Sequence, residues 1–121
     1  MAQAHSPDSL LPLTPAAFHI LLALADGEKH GYGIMLEVAA ISGGQIKLGP
    51  GTLYGTIKRM LADGWIEESD ERPDLELDDE RRRYYRLTDL GGKVVRAEAA
   101  RLARLVDAAR AKRLVAKPRS S

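Results

Sequence analysis

Lys58 and Arg59 stand side by side, and further along the chain Arg81, Arg82, Arg83 and Arg86 crowd around Tyr84 and Tyr85. Guanidinium and ammonium groups at this density, with phenolic hydroxyls among them, are the side chains that bond phosphate oxygens. The other reading of the second cluster is a cationic strand that neutralises the acidic tip, residues 70–80, of its own hairpin. Little else in the chain could do chemistry. Its 3 histidines, His5, His19 and His30, are scattered, it has 0 cysteines, and no Gly-rich phosphate loop follows a strand. Glu67–Glu68 and Asp78–Asp79 are adjacent in sequence and suit a solvated surface. These residues predict no enzyme, no cofactor and no metal site.

Lys58 and Arg59 need an element to aim them, and residues 50–63 supply one. Leu53, Ile57, Met60 and Leu61 recur at the i, i+4, i+7, i+8 spacing of a core-facing helical stripe. Pro50 suits the first turn, and Gly64 suits the left-handed residue that stops a helix. The opposite side is Gly51, Thr52, Gly55, Lys58, Arg59 and Ala62. A face without bulk, bordered by cations, has the geometry of a helix laid in a DNA groove. It is equally the geometry of an ordinary solvated face, and this helix alone does not decide between them.

The flanking pattern adds the decision. Residues 1–12 lack periodicity and predict a flexible N-terminal arm. Thr14–Pro15 opens a first helix, apolar through Phe18, Ile20, Leu21, Leu22, Leu24 and Ala25 and ending at Asp26–Gly27. A turn over residues 27–31 leads to a second helix with Ile34, Met35, Val38, Ala39 and Ile41, closed by Gly43–Gly44. After Gly64, Trp65 to Ser69 and Arg81 to Leu87 read as two strands of a hairpin, with Tyr85 and Leu87 inward and Arg82, Tyr84 and Arg86 outward. Between them residues 70–80, with Asp70, Glu71, Asp74, Glu76, Asp78, Asp79 and Glu80, form a polar tip. Thr88 caps a last helix that fades near Lys112.

The expected fold is mainly α with a small β-hairpin, a winged helix-turn-helix plus a long C-terminal dimerisation helix. Its divisions are residues 1–12 as arm, 13–89 as DNA-binding domain, 90–113 as dimerisation helix and 114–121 as a basic flexible tail. A chain of 121 residues, 45% hydrophobic, suits one compact domain. Lys and Arg total 18 against 17 acidic residues, a net charge of +1, so any case for nucleic acid rests on where the charges sit. The absence of cysteine excludes disulfides, and no apolar run approaches a membrane span. The expected location is the cytoplasm.

Five segments in this order resemble the PadR family of bacterial transcriptional regulators over roughly residues 13–110: Leu13-Thr14, His30-Gly31-Tyr32-Gly33-Ile34, Pro50-Gly51-Thr52-Leu53-Tyr54, Asp63-Gly64-Trp65-Ile66, and Arg83 through Gly91. The resemblance implies a dimeric repressor whose C-terminal helix joins the two copies and whose grip on DNA loosens when a small molecule binds or conditions change. It also implies DNA contacts at the start of the third helix and on the wing, here Thr52, Tyr54, Lys58 and Arg59 with Arg82, Arg83 and Tyr84. Gly51 and Gly55 join that surface from the helical pattern. Gly49 and Gly55 depart from the family, whose members often carry Ser and Pro there. Few of these side chains form bidentate bonds with base edges, so phosphate contact and DNA shape should dominate affinity.

Val95, Leu102 and Ala109 recur at intervals of seven, with Leu105 and Val106 beside them, and predict a homodimer through the last helix. Two-fold symmetry then predicts a pseudo-palindromic operator on double-stranded DNA. The small-molecule effector stays unidentified, because the last helix holds no aromatic residue to stack against a flat compound. Tyr32 and His30 read as structural, Trp65 as a core or interface aromatic, and Tyr54 as half-buried, packing its ring with its hydroxyl at the surface or on a phosphate. The competing function is a winged protein-interaction module controlling another regulator, which the acidic tip would suit.

Overall fold

The computed structural model describes residues 10–69 and 83–116. Its elements run α1 (Pro15–Ala23), β1 (Lys29–His30), α2 (Gly31–Ile41), α3 (Pro50–Ala62), β2 (Ile66–Ser69), β3 (Tyr84–Leu87) and α4 (Asp89–Ala111). The first nine residues of the arm, the acidic tip, Arg81, Arg82 and residues 117–121 of the tail lie outside the described residues.

Thr14 and Thr88, read from the sequence as caps, mark two of the helix starts, and His30 marks a third. Ala17 N–H donates to Thr14 Oγ1 at 3.1 Å, with Pro15 in the first turn. The helix stops at Ala23, short of Asp26–Gly27, as Leu24 N–H is shared between Ile20 O and Leu21 O and Ala25 N–H donates to Leu22 O, three residues back. Gly33 N–H donates to His30 Nδ1 at 2.9 Å and caps α2. Gly49 precedes α3 without a side-chain bond. That helix ends as its glycine predicts: Gly64 takes φ +78, its N–H meets Leu61 O, and Trp65 N–H meets Met60 O. Gly91 N–H donates to Thr88 Oγ1 at 3.0 Å at the start of α4.

β2 and β3 pair antiparallel with Ile66 opposite Leu87 and Ser69 opposite Tyr84. Tyr85 is buried, Leu87 half-buried and Arg86 exposed, which is the expected alternation. The sheet has a third strand where only a turn was expected. β1 pairs with β3, Lys29 opposite Tyr85 and His30 opposite Tyr84, so the order is β1-β3-β2 and the wing strand is central. Two residues are too few to leave a period in a sequence.

One core forms between the helices and the sheet, centred on Ile20, Leu21, Ile34, Leu53, Ile57, Met60, Ile66 and Val94. The start of α4 is seated tightly. Thr88 N–H donates to Trp65 O at 3.0 Å, and a Cβ added at Gly91 would collide with that carbonyl. Among the described residues no helix is long and apolar enough to cross a membrane.

Candidate nucleic-acid interface

Leu53, Ile57 and Met60 are buried on one side of α3, which leaves Gly51, Thr52, Gly55, Lys58, Arg59 and Ala62 exposed on the other. A Cβ added at Gly51 or Gly55 meets nothing within 4 Å, so packing inside the chain requires neither glycine. The outer face is therefore a shallow strip of backbone with Lys58 and Arg59 near its middle. Tyr54 is half-buried, and a Cβ at Gly31 would fall 2.9 Å from its Cε1 and Cζ. The tyrosine ring thus lies on the backbone at the start of α2, tying the first turns of α2 and α3 together. This explains Gly31, which from sequence alone reads only as part of a turn.

The wing joins the same junction through His30. Its imidazole meets the Tyr84 ring edge to face at 5.3 Å and 78°, and the Tyr32 ring is stacked at 6.4 Å and 20°. His30 both caps α2 and supports β3, the structural role expected of it. Arg83 and Arg86 are exposed, but each has an acidic partner: Arg86 Nε donates to Glu67 Oε2 at 2.8 Å, and Arg83 Nε lies 3.4 Å from Glu68 Oε2. The sequence reading looked to the acidic tip for neutralisation and missed β2. The hairpin register carried the missed signal, since Glu67 stands directly opposite Arg86. Arg82 lies outside the described residues.

On α4 the residues read as a dimer stripe divide at Glu98. Val95 is buried in the chain's own core, Leu102 and Ala109 are half-buried, and Leu105 and Val106 are 55% and 39% exposed. Val95 is thus occupied within its own chain, and the outward stripe begins at Leu102. Glu98 itself is 2% exposed. Its carboxylate accepts from Leu13 N–H at 3.1 Å, from Arg101 Nε at 2.6 Å and from Arg101 Nη2 at 2.9 Å. Arg101 holds the Glu98 carboxyl below the usual glutamate range against the opposing effect of burial. The sequence reading missed this residue, since a lone Glu among alanines looks like solvated surface. Trp65 and Phe18 are half-buried and pack against the core. Among the described residues no group of three or more His, Cys, Asp or Glu side chains is placed to hold a metal ion.

Three helices and a small antiparallel sheet, with α3 and the wing joined at His30 and Gly31, define a winged helix-turn-helix protein. Comparison with known proteins agrees. The family model described as the transcriptional regulator PadR-like family matches residues 20–97. A PadR family transcription regulator from Clostridium difficile superposes with TM-score 0.63 at 22% identity, over 80% of this chain and 96% of that one. A transcriptional regulator from Clostridium thermocellum gives TM-score 0.63 at 22% identity, over 78% and 86%. MarR from Staphylococcus aureus, solved in complex with salicylate and kanamycin, gives 0.60 at 18% identity, over 84% and 59%. A 37.1 kDa protein of a Streptomyces fradiae transposon is 37% identical over 86 residues, 71% of this chain, which spans 22% of that protein's length. The chain belongs to the PadR-like family, and with it to the DNA-binding transcriptional regulators and not to the enzymes.

Proposed function

We propose that the chain is a homodimeric repressor that grips a pseudo-palindromic operator and is released from it by a small molecule. The observation that carries the DNA contact is the exposed, bulk-free face of α3, with Lys58 and Arg59 upon it. In this reading residues 13–89 are the DNA-binding domain. Gly51, Thr52, Tyr54, Gly55, Lys58 and Arg59 approach the major groove, and Arg82, Arg83 and Tyr84 meet the flanking backbone. Residues 90–113 pair two copies through Leu102, Leu105, Val106 and Ala109, with Val95 supporting the helix from behind. The half-sites then lie about one helical turn apart, ~34 to 36 Å. The arm at 1–12 and the tail at 114–121 stand outside this scheme. The release step rests on the family resemblance alone, and no residue is assigned to the effector.

A gel-shift titration tests the reading, using DNA from upstream of the chain's own gene and its neighbours at two salt concentrations. Salt-sensitive, sequence-preferring binding that weakens when Arg82 and Arg83 are both replaced by Ala supports it. A protein-interaction module is favoured by one observation, the bonding of Arg83 and Arg86 to Glu68 and Glu67. Absence of any shift at low salt would decide for that module.

A further inference from the structure

Glu98 is the last buried side chain of α4, and with Ser69 the only polar residue in the buried set of the described residues. A carboxylate is costly to bury, and an apolar side chain there would seal α4 against the core without that cost. What it adds is direction. Apolar contacts let a helix slide or tilt by small amounts, whereas the bond from Leu13 N–H to Glu98, a carboxylate that Arg101 of the same helix holds in place, fixes one place along α4 and one rotation about it. Leu13 immediately precedes Thr14, the cap of α1, and α1 is anchored in the core through Ile20 and Leu21. The carboxylate therefore ties the last supported turn of α4 to the body that carries α3 and the wing.

We infer that Glu98 is a positioning residue that sets the tilt of α4 on the DNA-binding domain, and so the separation of half-sites that the dimer accepts. The inference rests on the dimeric-repressor reading. Its leverage follows from where Glu98 sits. Beyond it α4 runs on to Ala111 with no buried residue, about 20 Å of helix at ~1.5 Å per residue. A tilt of about 10° at Glu98 moves the far end by roughly 3.5 Å, and two-fold symmetry doubles this to ~7 Å, about two base pairs.

The test uses the full chain. Wild-type protein selects its preferred duplexes from a random-sequence pool, and the best is rebuilt with one or two base pairs inserted or removed between the half-sites. Binding is measured by fluorescence anisotropy for wild type, E98A and E98M, with dimer mass followed by sedimentation. The wild type should lose about tenfold or more in affinity on respacing, and the variants, still dimeric, about threefold or less. E98M fills the same space and offers Leu13 N–H no acceptor, so it decides the matter alone if E98A does not fold. A role confined to stability would lower the melting temperature and leave the spacing preference intact. Folded variants that discriminate as sharply as wild type therefore overturn the inference and spare the repressor reading. A wild type that selects no duplex overturns both.

Discussion

Replacing Gly55 should make the protein more stable and a poorer DNA binder, two effects that only a functional surface separates. Gly55 lies inside α3, is exposed, and offers open space to an added Cβ. Ala there recovers about 0.8 to 1 kcal/mol of helix propensity. For a chain of this size that raises the melting temperature by about 3 to 5 °C. The cost appears only against DNA. A Leu at this position puts bulk on a face that lies close to DNA only because it has none, and, holding the helix away, it should draw Lys58 and Arg59 back from phosphate oxygens, which they bond only at ~2.7 to 3.2 Å. Losing both contacts should lower affinity by about tenfold or more and reduce the slope of log affinity against log salt by roughly 2. Thermal melts of G55A and anisotropy titrations of G55A and G55L at several salt concentrations provide the measurement. Wild-type affinity and slope in G55L would refute the placement of this face on DNA. A G55A protein that melts below wild type would refute the claim that packing leaves the site open.

Gly91 should respond in the opposite way, because a Cβ there lies 2.8 Å from the Trp65 carbonyl carbon and meets rigid backbone. Even after the propensity gain, G91A should cost about 2 to 3 kcal/mol and lower the melting temperature by roughly 6 to 12 °C in a calorimetric scan. Replacing both Leu105 and Val106 with Asp should leave the melting of the monomer within about 0.5 kcal/mol, since both are exposed, while sedimentation shows the dimer lost and operator binding weakened. The Glu98 carboxyl is held below its ordinary value of 4.5, so its contribution to stability is fully present above that value and is lost as pH falls through the lowered one. Melting temperature followed from neutral into acid should therefore fall more steeply in wild type than in E98Q. Replacing Glu67 and Glu68 with Gln should raise DNA affinity about two- to fivefold, since exposed ion pairs are worth only ~0 to 1 kcal/mol and a phosphate competes for the same guanidinium groups. An unchanged titration would take Arg83 off the DNA.

Local rules made the frame legible. Thr14, His30 and Thr88 cap helices because a side-chain acceptor before a helix start has few other uses, and Gly64 stops α3 because that turn needs a positive φ. The face of α3 followed from the 3.6-residue period alone. What stayed hidden depends on contacts between distant residues. Gly31 and Gly91 read as turn or helix-start glycines, and only the fold shows a tyrosine ring over one and a carbonyl against the other. β1 is stabilised by pairing with a strand more than fifty positions away, as its partners Tyr84 and Tyr85 show. Glu98 was invisible because its partner Leu13 is 85 residues distant. Val95 fits the seven-residue interval as well as Leu102 does, yet periodicity along α4 cannot say where the helix leaves its own core.

The junction at His30 and Gly31 bears on how a surface so poor in base-reading groups can serve a regulator. Tyr54 binds α3 to the start of α2, His30 binds the start of α2 to Tyr84, and β1 adds a ladder of hydrogen bonds to the wing strand. Helix and wing are therefore one body before DNA arrives, and little ordering entropy is spent in bringing Lys58, Arg59 and the base of the wing to their places. Phosphate contacts carry no sequence information singly, but a rigid set of them fits only a duplex whose groove width and curvature place its phosphates to match. In the proposed dimer the same demand would extend across the two-fold axis, where the angle of α4 would govern it. If the protein reads DNA in the proposed way, its selectivity comes from the stiffness of the Tyr54, His30 and Glu98 contacts, so loosening any of them should blur the choice of DNA before it abolishes binding.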